Sequence, residues 1–139
     1  MQVLCRKLKS QFDYIIIDGP AGINDGLIVA AAGADKGVIV TIHDYSAIRD
    51  ADKVDRFLEE LGIRKRGLVI NKAVYNLMGN GIVPGIRQIN GLIRAPILGV
   101  IQQDDNIQIS SNYGLPIAYK KGTYIYENLN SITDRIILQ

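Results

Sequence analysis

The sequence predicts an α/β fold, a parallel β-sheet in three layers with helices on both faces. Two observations carry this. Short apolar runs rich in β-branched residues recur without the polar alternation of a half-exposed strand. Between them lie segments with the 3.6-residue apolar spacing of helices, so successive strands are joined by crossovers. The 139 residues, 47% hydrophobic and 22% charged, match an ordinary globular core.

Taken in order, Met1 to Ser10 reads as the end of a helix, with Val3, Leu4 and Leu8 set among Arg6, Lys7 and Lys9. Phe12-Asp-Tyr-Ile-Ile-Ile-Asp18 reads as a strand buried on both faces. A helix starting at Asn24 or Asp25 runs through Ala32 and stops at Gly33. Gly37–Ile42 has the composition of a second doubly buried strand. Ser46 to Leu61 reads as an amphipathic helix, with Ile48, Val54, Leu58 and Leu61 near one face, Ser46 as its cap and Gly62 just past its end. Gly67–Ile70 and Pro96–Ile101 supply a third and fourth strand. A less regular helix spans Pro84 to Ile93, after a glycine-rich stretch from Asn76 to Gly85 that reads as loop. The last helix runs from Tyr124 to Ile137 with an apolar stripe of Ile125, Leu129, Ile132 and Ile136. The late tyrosines, Tyr113, Tyr119, Tyr124 and Tyr126, are expected to pack that helix on the sheet.

Composition narrows the function. Sixteen basic and fourteen acidic residues leave a net charge of +2, too balanced to predict nucleic acid as a partner. The Arg64-Lys65-Arg66 and Lys120-Lys121 clusters read as solvated loop faces. One cysteine, Cys5, excludes an internal disulfide and suits a reducing cytoplasm. No run approaches the roughly 18 apolar residues of a membrane span, and no secretory signal pattern opens the sequence.

Ligands of open parallel sheets gather at the carboxyl ends of strands. The first predicted strand ends in Asp18-Gly-Pro-Ala-Gly22, an arrangement suited to a carboxylate near Mg²⁺ followed by a glycine that senses a terminal phosphate. The same residues would also serve a simple turn, and the spacing alone leaves both open. His43 is read as a loop residue, neither base nor ligand. Asn71, where the third strand ends, suits either a purine edge or a turn held by its own side chain.

Together, Phe12–Ile23, Ala34-Asp35, Ser46-Ala-Ile-Arg-Asp-Ala-Asp52, Leu68–Asn71, Leu98–Ile101 and Ser111–Pro116 resemble the MinD branch of the deviant-Walker, ParA-like P-loop ATPases, in the family's order from Phe12 to about Pro116. The resemblance implies a single partial P-loop NTPase domain over residues 1–139, incomplete at its N-terminal side. It implies ATP and Mg²⁺ as ligands. Asp18 would be the Walker B carboxylate and metal partner. Pro20, Ala21 and the catalytic Gly22 would form the switch that senses the γ-phosphate. Asn71 and Asp104 would seat the base. Ser46, Arg49 and Asp50 would face an ATP-dependent homodimer and the regulators, MinC-like and MinE-like.

These residues contain no Lys-Gly-Gly-x-Gly-Lys-Thr loop and no switch I aspartate, and Gln102-Gln103-Asp104 replaces the family's Pro-Glu-Asp. The expectation is therefore the C-terminal portion of a MinD-like ATPase for division-site placement, bacterial and cytoplasmic, unable by itself to bind or hydrolyse ATP. Membrane association is not expected without a basic amphipathic tail. Two alternatives remain: a non-catalytic interaction domain of the same descent, and a ParA-type partition ATPase.

Overall fold

The computed structural model describes all of residues 1–139. Its centre is a three-stranded parallel sheet in the order β1 (Lys36–Ile42), β2 (Lys65–Ala73) and β3 (Ile97–Gln102). Before it lie α1 (Gln2–Leu8) and α2 (Asp25–Ala31). α3 (Tyr45–Glu60) joins β1 to β2, and α4 (Tyr75–Gly79) and α5 (Ile86–Leu92) join β2 to β3. After the sheet come α6 (Asp105–Asn112), a 3₁₀ turn at Ile117–Tyr119 and α7 (Tyr124–Leu138). No helix is long and apolar enough to cross a membrane.

The predicted α/β layers are present, with two corrections among the strands. Phe12–Asp18 forms no strand, because nothing in these residues lies beside it to pair: Asp13 to Ile23 make no backbone–backbone hydrogen bond, and Ile16 is 94% exposed. Gly37–Ile42 is a strand but is covered on one face only. Ile39 and Thr41 are buried, whereas Val38, Val40 and Ile42 are exposed.

Two clusters make the core. On one face of the sheet Ile39, Leu68 and Ile70 meet Ile48, Ala51 and Leu58 of α3, with Ile89 of α5 and Ala31 of α2. On the other, Val69 and Leu98 meet Ile132 of α7. The α7 stripe falls as expected, with Ile125 and Ile132 buried and Leu129 and Ile136 half-buried. Gly99 lets α7 lie this close: a Cβ there would sit well inside van der Waals contact with Ile132. At the far end of α7, Lys36 Nζ donates to the carbonyls of Ile136 and Ile137 at 2.8 and 2.7 Å, closing the helix with a cation where its dipole is negative.

α3 starts one residue earlier than predicted, with Asp44 rather than Ser46 at the capping position, and ends as expected at Gly62, whose φ of +87° suits glycine. Its buried face is Ile48, Ala51, Asp55 and Leu58, while Leu61 is exposed. Asp55 is fully buried. It accepts from Arg66 Nε at 2.6 Å and from the backbone N–H of Ala95 at 3.2 Å. Arg66 is thus not part of a solvated basic loop; it reaches inward and also pairs with Glu59 at 3.3 Å. Burial alone would lower its pKa. The hydrogen bond and charge of Asp55, with Glu59, outweigh that and hold the guanidinium above its ordinary value.

Three smaller differences concern local chemistry. α4 forms inside the stretch read as loop. α6 and the 3₁₀ turn lie where no element was expected. Tyr113 and Tyr119 are 78% and 81% exposed, so they do not pack α7 on the sheet; aliphatic residues do.

Removing one partner of a buried pair strands the other charge, so Asp55→Ala is expected to cost about 3–5 kcal/mol in urea unfolding. A loss below about 1 kcal/mol would show that the pair is dispensable. Gly99→Ala is expected to cost about 1–3 kcal/mol in the same assay by forcing α7 off the sheet.

Candidate functional site

Because all three strands are parallel, their carboxyl ends open on one edge of the sheet. That edge collects the segments after β1 (His43 to Asp50), β2 (Val74 to Asn76) and β3 (Gln103 to Asp105). Hydrogen bonds strap the three together. His43 Nε2 accepts from the backbone N–H of Val74 at 3.2 Å, and the carbonyl of Ala73 accepts from the N–H of Gln103 at 3.0 Å. Thr41 Oγ1 donates to the Ala47 carbonyl at 3.2 Å, tying β1 to the first turn of α3.

His43 thus ties the junction after β1 to the junction after β2. An Nε2 that accepts carries no proton, so the ring proton sits on Nδ1, which is buried without a partner.

Between the ends of β2 and β3 lies a cavity of about 330 Å³, lined by Ala73, Val74, Tyr75 and Asn76 on the first junction and Gln102, Gln103 and Asp105 on the second. An aromatic ring, small apolar groups, three amides and the Asp105 carboxylate form its mixed lining. Asn71 and Asp104, the residues expected to seat the base, flank this cavity in sequence. Asn71 lies within β2 rather than at its end, beside a register irregularity between Ile70 and Ala73. Its Oδ1 accepts from the N–H of Lys72 at 2.9 Å, and Lys72 has a φ of 54°. A left-handed lysine costs about 1–3 kcal/mol, and the Asn71 side chain helps hold it. That is the turn-holding alternative for Asn71, and it leaves Nδ2 free to donate. Tyr75 and Asn76 were missed because the short α4 decides where they point and has no periodic signature, whereas Gln102 lies in the Gln102-Gln103-Asp104 stretch that the sequence does single out.

Asp104 caps α6, accepting from the N–H of Asn106 at 2.8 Å, and its other oxygen accepts from the Tyr124 hydroxyl. The tyrosine bond, then those from Asn106, hold the Asp104 carboxyl below its ordinary value, and Asp104 in turn raises the Tyr124 phenol.

Asp18, Pro20, Ala21 and Gly22 are exposed and lie in the irregular segment between α1 and α2; Gly22 has a φ of 77°. Ser46, Arg49 and Asp50 are exposed along the first two turns of α3, where Arg49 Nε donates to the Tyr45 carbonyl and Asp50 pairs with Lys53 at 2.9 Å. No three Asp, Glu, His or Cys side chains gather as metal ligands. One carboxylate fits Mg²⁺ only in the manner of nucleotide enzymes, where waters and phosphates complete the octahedron.

No family model matches the chain. It is 39% identical over 130 residues to the septum site-determining protein MinD of Bacillus subtilis, a match that takes in 91% of this chain and 48% of that protein. The chain is MinD-like. Its backbone overlays the MinD cell division protein of Aquifex aeolicus with a TM-score of 0.88 at 28% identity, over 99% of this chain and 58% of the other. The same overlay holds for the MinC:MinD cell division protein complex of that organism. A fold match at 22% identity and TM-score 0.84 is to the MinD of Pyrococcus horikoshii OT3 complexed with Mg-ADP. This MinD-like chain spans about half the length of the curated relatives it matches.

Tyr124→Phe removes the first support of the ionised Asp104 and leaves the cap. In a carboxyl-detected NMR titration, Asp104 is expected to move up toward its ordinary value. A depressed carboxyl contributes stability above the unfolded-state value, lost as pH falls through the folded one. The variant should therefore weaken stability at neutral pH and flatten its acid-side decline; an unmoved Asp104 titration would contradict the assignment.

Proposed function

We propose that residues 1–139 work as part of a single MinD-like ATPase domain in division-site placement, in which ATP-driven dimerisation controls partner and membrane binding. The observation that carries this is the gathering, on one sheet edge and in the family's order, of a cavity between β2 and β3 and the exposed start of α3, in a chain 39% identical to MinD.

In this reading Mg²⁺ would supply charge neutralisation for the phosphates. Asp18 would orient a water of its shell, and Pro20, Ala21 and Gly22 would present backbone to the terminal phosphate. The cavity at Tyr75 and Gln102 would take the base, with Asn71 Nδ2 and the Asp104 loop beside it. Ser46, Arg49 and Asp50, exposed and bound only to local neighbours, would meet a second MinD-like subunit and the MinC-like and MinE-like regulators. The protein would work in the bacterial cytoplasm, reaching the inner membrane only through an anchor outside these residues. A non-catalytic interaction module is the second reading, favoured by Asn71 being engaged in its own turn.

The phosphate cradle and its lysine would come from outside residues 1–139. Titration of a fluorescent ATP analogue into the 139-residue chain alone is therefore expected to show no micromolar binding. Saturation in the micromolar range, abolished by Asp18→Ala, would overturn the dependence on a second portion.

A further inference from the structure

The stretch from Asn71 to Asn76 leads into and forms the first wall of the cavity between β2 and β3, and its backbone is held at three points. The Lys72 N–H donates to Asn71 Oδ1, the Gln103 N–H donates to the Ala73 carbonyl, and the Val74 N–H donates to His43 Nε2. Val74 is the capping residue of α4 and offers no side-chain cap of its own. Its N–H is fixed instead from another strand junction, 31 positions back in sequence.

The three acceptors differ in chemistry. An amide oxygen and a backbone carbonyl keep their lone pairs around neutral pH, whereas an imidazole nitrogen surrenders its lone pair to a proton. A ring with one proton accepts at Nε2 and carries its hydrogen on Nδ1. A ring with two donates at both nitrogens, so Nε2–H would face the Val74 N–H across 3.2 Å. Two donors cannot share that contact, and the bond is lost.

The seat offers a charged ring nothing in exchange. His43 continues the inward register of Ile39 and Thr41 and is 8% exposed, with Nδ1 buried and unpartnered. A buried cation needs a counter-ion or a full set of acceptors. The charged or titratable groups on the three junctions are Asp44 and Tyr45 after β1, Lys72 and Tyr75 around the end of β2, and Asp104 and Asp105 after β3. In the helices of the same layer, α2 carries Asp25, α5 carries Arg87, and Asp52 and Asp55 of α3 are paired with Arg56 and Arg66. None of these groups makes a hydrogen bond or ion pair with the ring, whose recorded partner is the Val74 N–H.

We infer that His43 is a positioning residue for this cavity and works as a proton-released latch: the ring with one proton ties the Val74–Asn76 wall to the junction after β1, and a second proton lets that wall go. The release is one-sided. Gln103 stays tied to Ala73, so Gln102, Gln103 and Asp105 keep their place while Val74, Tyr75 and Asn76 move. The latch acts on the wall itself and is independent of ATP being the occupant.

The test is a pH titration of the isotope-labelled 139-residue chain followed by NMR. The nitrogen–nitrogen scalar coupling carried by a hydrogen bond is expected between Val74 and His43 Nε2 while the ring holds one proton. It should vanish in step with the ring's own nitrogen shifts as the second proton arrives. The amide signals of Val74, Tyr75 and Asn76 should move together in that step, and the Gln103 amide should stay. His43→Gln supplies an acceptor oxygen that holds no proton, so it should keep the wall signals at their high-pH positions throughout. His43→Phe supplies no acceptor and should leave them at their low-pH positions at every pH. His43→Gln also separates the latch from the carboxylates of Asp104 and Asp105. No coupling in the neutral ring, a coupling that survives the second proton, a ring that stays neutral until the chain unfolds, or wall signals that still follow pH in His43→Gln would each overturn the inference.

Discussion

The buried carboxylate of Asp55 is the constraint on which the rest of the sheet depends. A charge in an apolar interior is tolerated only when its lone pairs are used. Asp55 meets that condition by drawing in Arg66 from β2 and the N–H of Ala95 ahead of β3. One side chain of α3 thereby reaches two strand starts at once, and a slide of the helix by a turn would leave two charges unpaired. Leucine in its place could fill the volume, but it would tolerate other alignments of helix and sheet. With α3 held, the carboxyl ends of the strands come level at the edge where the cavity between β2 and β3 opens.

The helices and the parallel layers were readable along the chain because their signals are local and periodic. The α7 stripe and the Gly62 stop needed only neighbours in sequence. What sequence reasoning missed depends on contacts far along the chain. Asp55 stands in the apolar register of α3, and an acid at such a position does signal a buried partner; its partner is eleven residues away on the next strand. Phe12–Asp18 fails as a strand for the opposite reason. Its composition is right, but pairing is a property of two segments, and within these residues it has only one.

The site divides in the same way. The order of motifs located the edge, since parallel topology brings every carboxyl end to one place. Which residues line the cavity was decided by the left-handed Lys72, by the short α4 and by the strap from Ala73 to Gln103. His43 adds a second strap, its Nε2 holding the Val74 N–H across the junctions of β1 and β2.

The bond from Lys36 to the last carbonyls of α7 has a kinetic consequence. It joins residues 100 and 101 positions apart, so the layer beneath Val69 and Leu98 is closed by some of the most distant contacts in the chain. Contacts of such separation form late and slow the search for the native state. On a ribosome, β1 and β2 are complete long before α7 emerges, and until then one face of the nascent sheet stays open to water. The docking of α7 ends that exposure at Val69 and Leu98, while Val38, Val40 and Ile42 at the end of the same layer stay exposed.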